Sequence, residues 1–359
     1  MESARIQNIM ENKGFVGVSV LCMVYNHEEF LRNCLDGFVC QETNFPFEII
    51  IHDDKSTDHS ADIIREYAEQ YPNLFRPIFQ KENQYSQGIS IFTKYMMPLV
   101  RGRYIAFCEG DDYWCDPHKL QRQFDYMENH PECTLCTHNS RFHYLNSEYP
   151  DFLFNDWEDV HILTDEEVFQ SGTVHTSSYF YRPNQVVYPE YTKNRSYWFK
   201  DYITLVISYQ FGTVVCLPGV MSVYNAENPH SLTGSIKNKG YSSRIHAMSA
   251  ILDFLSRFDQ ETEKKYHEAV TKRAAAVNAD IEFYTLMLRM KELSASGAAK
   301  EEMVSCADQL AKNDVMIRLD HMQTGIHRLT FRFRMKGYRY CYPLWKKLLE
   351  IHVLSKISE

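Results

Sequence analysis

The chain has 359 residues, enough for a large core or for one domain with a long appendage. Hydrophobic residues make up 44% and charged residues 24%, an ordinary balance for a soluble globular protein, and the formal net charge of -9 argues against general nucleic-acid binding. Cys22, Cys108, Cys136 and Cys216 lie in apolar runs as small core residues, which points away from a disulfide framework.

Met1 to Lys13 is polar and lacks the apolar centre of a signal peptide. No apolar run approaches the roughly 20 residues needed to span a bilayer. Val16 to Val24 is a near-continuous apolar run and predicts a first buried strand. Asn26 and Glu29 have the spacing of a capping box. Phe30, Leu31, Cys34, Leu35 and Phe38 then share one helical face. Phe47 to Ile51 predicts a second buried strand, ending in His52-Asp-Asp-Lys-Ser-Thr-Asp58. Asp58 can cap a helix whose inner face is Ile63, Ile64, Tyr67 and Ala68, and Phe75 to Phe79 reads as a third strand. Strand-helix-strand-helix-strand is the pattern of a parallel sheet.

Tyr104 to Cys108 has the length and composition of another buried strand. The chain then turns acidic at Glu109, Asp111 and Asp112, and aromatic at Tyr113 and Trp114. Asp116-Pro117 reads as an N-cap with proline at the first helical position. Asp111 and Asp112 therefore stand at the strand-end edge where open α/β sheets bind ligands. Adjacent carboxylates repel, and magnesium or manganese between them and phosphate oxygens would relieve this. The plain alternative is a solvated acidic turn. Asp53 and Asp54 fall at the end of a parallel strand too, so both acidic pairs open on one edge. For that pair the alternative is a turn with local hydrogen bonds from Ser56 and Thr57. Cys133-x-x-Cys136 with His138 is a weak metal or redox signal, because no second Cys/His pair has finger spacing.

Cys133 to Thr137 predicts a further strand, while Pro150 to Val168 is acidic and aromatic without a period. Gly172 to Arg182 alternates like a strand, with Thr176 and Ser178 on one face. Asp201 enters the first turn of a helix carrying Ile203, Val206 and Ile207, where macrodipole stabilisation is the bland reading. Two strands follow, Thr213 to Leu217 and Gly219 to Tyr224. Beyond Tyr241 the spacing is helical: Ala247, Ile251, Phe254, Leu255 and Phe258, then runs from Glu261 to Leu293 and Lys300 to Leu319. The end of the chain interleaves Arg328, Arg332 and Arg334 with Phe331 and Phe333. Such a segment can lie on an anionic membrane surface or pack on the protein or a second copy.

Three stretches together carry a resemblance. Val18-Ser-Val-Leu-Cys-Met-Val-Tyr-Asn26, Ile51-His-Asp-Asp-Lys-Ser-Thr-Asp58 and Gly102-Arg-Tyr-Ile-Ala-Phe-Cys-Glu-Gly-Asp-Asp-Tyr-Trp114 resemble the family 2 glycosyltransferases. The resemblance covers about residues 15 to 235. Lys55 stands where the family has glycine, and Gln87 to Lys94 replaces its small-residue and arginine/asparagine stretch. The fold implied is α/β: a GT-A, Rossmann-like mixed sheet flanked by helices, with a C-terminal helical appendage. The implied organisation is a polar extension over 1–14, a catalytic domain over 15–240 and a helical region over 241–359. The catalytic domain would divide into a nucleotide-binding half, about 15–145, and an acceptor half, about 146–240.

The resemblance also implies roles. Tyr25 and Asn26 would lie beside the base and ribose. Asp54, or else Asp53, would accept a hydrogen bond from the base. Asp111 would face the donor ribose or sugar, and Asp112 would hold the divalent metal, Mn2+ or Mg2+. Trp114 is a candidate wall of the sugar site, with Thr176 and Ser178 on a strand below it. Asp201 would be the general base, and His230 would complete the metal site. The expected activity is metal-dependent, inverting transfer from a nucleotide-diphosphate sugar, a UDP-sugar foremost, to a glycan or lipid-linked hydroxyl in surface polysaccharide synthesis. The expected location is cytoplasmic, on the inner face of the membrane if the tail binds there. A decayed nucleotide-sugar-binding protein and a nucleotidyltransferase are the rivals; the second should carry a basic, glycine-rich loop where Tyr25-Asn-His-Glu-Glu29 stands.

Overall fold

In a computed structural model, residues 15–145, 151–170, 172–183, 187–194, 196–226, 240–296 and 300–312 are described. The predicted polar extension, His230 and the basic-aromatic tail lie outside them. The apolar runs form strands β1 (Val18–Val24), β2 (Phe47–Asp53), β3 (Phe75–Phe79) and β4 (Tyr104–Phe107). The shorter β5 (Tyr113–Trp114), β7 (Phe152–Leu153), β8 (His161–Ile162) and β9 (Phe180–Tyr181) accompany two long strands, β6 (Cys133–Tyr144) and β10 (Thr213–Ala226). The sheet order is β3-β2-β1-β4-β9-β6-β10-β5, with β7 beside β6 and β8 beside β10. The first four strands are parallel, and β9 pairs antiparallel with both β4 and β6.

Helices α1 (Glu28–Val39), α2 (Ser60–Gln70) and α3 (Lys119–Asn129) follow β1, β2 and β5. Burial on both faces explains the unbroken apolar runs of β1, β2 and β4. Leu31, Leu35, Phe38, Ile64, Leu120 and Met127 bring the helices into the same core. Register sets the functional edge. Val24 pairs with Asp53, and Leu21 with Phe107. The N–H groups of Cys108 and Gly110 donate to Leu21 O and Met23 O, so the acidic loop continues alongside β1.

Four local expectations change, each through partners distant in sequence or through side-chain bonds to the backbone. Asn26 adopts φ 55 and forms no capping box; α1 starts at Glu28. Helix α3 starts at Lys119, because Asp116 uses its Oδ1 on the His118 N–H two residues ahead. Residues 176–178 form a 3-10 turn rather than a strand. There His175 Nδ1 accepts from the Ser177 N–H, and Ser178 Oγ donates to His175 O. The two strands expected after Asp201 are one strand, β10, with register shifts between Leu217 and Ser222. Gly219, at φ 95, carries the bend.

The chain divides into two compact units. The first holds the sheet with the two further helices α4 (Asp165–Phe169) and α5 (Lys200–Phe211). The second takes residues 190–198 and the helices α6 (Tyr241–Glu261), α7 (His267–Ser296) and α8 (Lys300–Lys312). Ala247, Ile251, Phe254, Leu255 and Phe258 are buried, as their spacing predicts. Phe283, Met287 and Met290 meet Cys306 and Leu310 in a smaller cluster. Among the described residues no helix is long and apolar enough to cross a membrane.

One buried cation anchors the end of the acidic loop. Lys119 is fully buried, with its ammonium 4.0 Å from the centre of the Trp114 ring. Its Nζ donates to Gln123 Oε1 at 2.7 Å, and Gln123 Nε2 donates to Cys136 O and Ser178 O. Burial pushes the Lys119 pKa down from 10.5 to about 7. Between those values the unfolded chain holds a proton that the folded chain lacks, so this group makes stability rise with pH. Lys119→Met should remove that slope. In urea denaturation, the stability of Lys119→Met relative to wild type should be greater at pH 6 than at pH 9.

Candidate active site

Two loops at the sheet edge clasp each other. The Asn26 and His27 N–H groups donate to Ser56 Oγ and Ser60 Oγ, each at 2.9 Å. The Glu28 N–H donates to Asp58 Oδ2 at 3.0 Å. In return the Thr57 N–H donates to Asn26 Oδ1 at 2.7 Å and the His59 N–H to Glu28 Oε2 at 2.8 Å. Each loop thus satisfies open backbone donors at the start of the other's helix. Asp58 also accepts from the Ser60 N–H, so it serves α1 and α2 together. Lys55 sits at φ 65, a conformation that glycine adopts more easily.

The four nucleotide-side candidates on this part of the edge differ in what their side chains already do. Both oxygens of Asp54 accept backbone donors, from Gln84 N at 2.8 Å and Tyr85 N at 3.0 Å. Asp53 has only longer contacts of 3.3 and 3.4 Å from the Ser56 N–H. The acceptor of Asn26 is occupied by Thr57. Tyr25 is 41% exposed at the end of β1.

The acidic loop follows β4. Carboxylate oxygens of Glu109, Asp111 and Asp112 lie within 4.8 Å of one another. Gly110 lets the loop press onto the end of β1 and the start of α1: a Cβ there would meet His27 Nδ1 and Val24 Cγ2 at 2.9 Å and Leu31 Cδ1 at 3.2 Å. Asn225 holds the other side, donating from its N–H to Asp112 Oδ1 at 3.0 Å and from Nδ2 to Asp111 O at 2.7 Å. His27 Nε2 stands 3.9 Å from Asp111 Oδ2, and His175 Nδ1 stands 3.8 Å from Asp112 Oδ2, both beyond hydrogen-bond distance.

Electrostatics record the crowding. Glu109 is exposed as a residue, yet desolvation of its carboxyl, then the charges of Asp111 and Asp201, push its pKa up to about 8. Burial, and after it the Asp111 charge, raise Asp112 well above the usual carboxylate range. Three converging hard oxygen ligands suit a divalent cation such as magnesium or manganese. Glu109 belongs with the two aspartates, which sequence reasoning did not assign; the signal was its spacing two residues before Asp111. Among the described residues no other His/Cys/Asp/Glu group has such geometry, and Cys133 and Cys136 are buried free thiols.

Asp201 lies in the first turn of α5 and is exposed. Its Oδ2 is 3.4 Å from Thr176 Oγ1, and its charge reaches Glu109 and Tyr224. The His175 ring lies 4.4 Å from that of Tyr224. Below them Ser177 Oγ, Ser222 Oγ and Ser140 Oγ form a buried chain with 2.8 Å links. Trp114 is 2% exposed, and its Nε1 donates to Ser177 O at 2.9 Å. Thr176 therefore lies beside Asp201, whereas Trp114 and Ser178 are buried beneath the edge.

Residues 19–227 match the family profile described as Glycosyl transferase family 2. An uncharacterized protein of Mycobacterium tuberculosis (strain H37Rv) is 37% identical over 243 residues, covering 66% of this chain and 67% of that protein. The poly(ribitol-phosphate) beta-glucosyltransferase of Bacillus spizizenii is 28% identical over 181 residues, covering 49% of this chain and 27% of its own. The crystal structure of S. aureus TarS 1-349 in complex with UDP-GlcNAc aligns with a TM-score of 0.50 and 16% identity, covering 87% of this chain and 93% of that one. That likeness, with the mixed sheet and flanking helices, shows the GT-A fold.

The close packing under the acidic loop is testable. Gly110→Ala should cost about 1–3 kcal/mol in chemical denaturation, the usual range for overpacking. An unchanged midpoint would mean that the loop is not pressed against the end of β1 and the start of α1.

Proposed function

The chain belongs to glycosyl transferase family 2, and from that premise we propose that it transfers a sugar from a nucleotide diphosphate to a glycan or lipid-linked hydroxyl, with inversion. The observation that carries this reading is the carboxylate cluster at the strand-end edge with a further carboxylate near it. Glu109, Asp111 and Asp112 crowd together, and the charge of Asp201 reaches Glu109 from α5. Retained acidic positions of this kind speak for a working enzyme over a decayed binder.

Glu109, Asp111 and Asp112 would hold Mn2+ or Mg2+, which when bound neutralises charge on a leaving diphosphate. The remaining work belongs to the chain's own residues. Asp53, with only long contacts to Ser56, accepts a hydrogen bond from the base more readily than Asp54 does. Tyr25 offers an exposed ring beside the base, and Asn26 keeps the loop in place. Asp201 takes the proton from the acceptor hydroxyl as the new bond forms. Thr176 stands beside that carboxylate to orient it or the acceptor.

UDP-GlcNAc in the TarS complex supports a UDP-sugar donor, and the poly(ribitol-phosphate) glucosyltransferase supports a role in cell-surface polysaccharide synthesis. Such donors suit a cytoplasmic site of action.

Asp201→Asn should keep manganese-dependent UDP-sugar binding in calorimetry and lower transfer by about 10²–10⁴-fold. Asp112→Asn should lose the manganese dependence of donor binding. Near-wild-type transfer by Asp201→Asn would remove that residue from the mechanism.

A further inference from the structure

We propose that Tyr85 is a specificity-determining residue of the donor site, its ring and hydroxyl meeting the nucleoside of a bound nucleoside diphosphate. The inference rests on the donor reading above and adds a residue outside its motifs. It begins from an exposed aromatic on a pinned backbone. Tyr85 is 56% exposed, yet the loop that bears it is tied on several sides. The carboxylate of Asp54 accepts from the Gln84 and Tyr85 N–H groups, and Asn83 Nδ2 donates to Asp54 O at 3.0 Å. Tyr95 OH donates to Gln84 Oε1 at 2.7 Å, and the Ser86 N–H to Asn83 Oδ1 at 2.7 Å. Gly88, at φ 71, closes the 3-10 turn Tyr85–Gln87.

The backbone of this loop is fixed to the end of β2 through Asp54, whose own N–H donates to Val24 O at 3.0 Å. Strand β1, ending at Val24, lies next to β2, so this loop and the exposed Tyr25 border neighbouring strand ends. Among the described residues the phenol hydroxyl makes no hydrogen bond. It can therefore meet a ribose or base, while the ring offers a flat stacking face. Bases of every kind stack on aromatic side chains, and a pre-positioned ring avoids much of the ordering cost of binding.

Tyr85→Ala keeps the backbone N–H that Asp54 requires, so it removes the ring without untying the loop. The test uses the full chain with manganese and compares uridine and guanosine diphosphates by calorimetry. We expect Tyr85→Ala to weaken binding of the preferred nucleotide by roughly tenfold or more and to narrow the ratio between the two. Tyr85→Phe should bind the preferred nucleotide within about threefold of wild type, since stacking is retained. In turnover, the donor KM should rise with kcat little changed, and manganese binding without nucleotide should stay as in wild type. Equal affinity and an equal ratio in Tyr85→Ala would overturn the assignment while leaving the donor reading intact. Weakened manganese binding by the same variant would also overturn it, because the effect would then be loop collapse. If wild type binds neither nucleotide with manganese, the donor reading itself fails, and this inference with it.

Discussion

The end of β4 carries three carboxyl groups whose oxygens come within 4.8 Å of one another, and Asp201 adds its charge from α5. Full ionisation there opposes folding, which is why Glu109 and Asp112 hold their protons above the usual carboxylate range. The fold keeps this arrangement by pinning the loop on both sides. Gly110 presses onto the end of β1 and the start of α1, and Asn225 on β10 holds Asp111 and Asp112 by two hydrogen bonds. Trp114, seated over the Lys119 ammonium and bonded to Ser177, fixes where the loop re-enters the sheet. A crowded acidic loop at this edge is the feature that a nucleotide-diphosphate donor and its cation would use.

The same economy shapes the β1 and β2 ends. Asn26, Glu28 and Asp58 satisfy backbone donors of the opposite loop, so two helix N-termini are capped by one clasp. Asp54 extends the order to residues 83–85. The edge is therefore stiff from β2 to β4, and exposed side chains such as Tyr25 and Tyr85 project from ordered backbone.

Much of this was legible in the amino-acid sequence. β1, β2 and β4 are buried on both faces, so each appears as an unbroken apolar run. Acidic residues placed where such runs stop put Asp53, Asp54, Asp111 and Asp112 at one strand-end edge, whereas Asp201, in the first turn of a helix, stands out only through the family resemblance. What stayed hidden depends on distant partners. The two acids of the Asp53-Asp54 pair look alike until residues 84 and 85 claim the oxygens of Asp54. Asn26 looks like a helix cap until Thr57 takes its carbonyl. Residues 172–182 alternate like a strand, but Ser177, Ser178 and His175 bond locally and turn the chain. Trp114 reads as an open aromatic wall, whereas Lys119 and Ser177 hold it in the core.

Whether the Glu109, Asp111 and Asp112 cluster binds a divalent cation can be read from the effect of manganese on melting temperature against pH. Without metal, carboxyl pKa values raised on folding make this cluster's contribution fall as pH rises from the ordinary carboxylate range towards about 8. Manganese must displace the Glu109 proton at pH 6 but meets that carboxyl mostly ionised at pH 8.5. A cation held by these carboxylates should give a manganese-induced rise of about 5 °C or more at pH 8.5 and a much smaller one at pH 6. No rise at either pH, or equal rises at both, would contradict cation binding by this cluster.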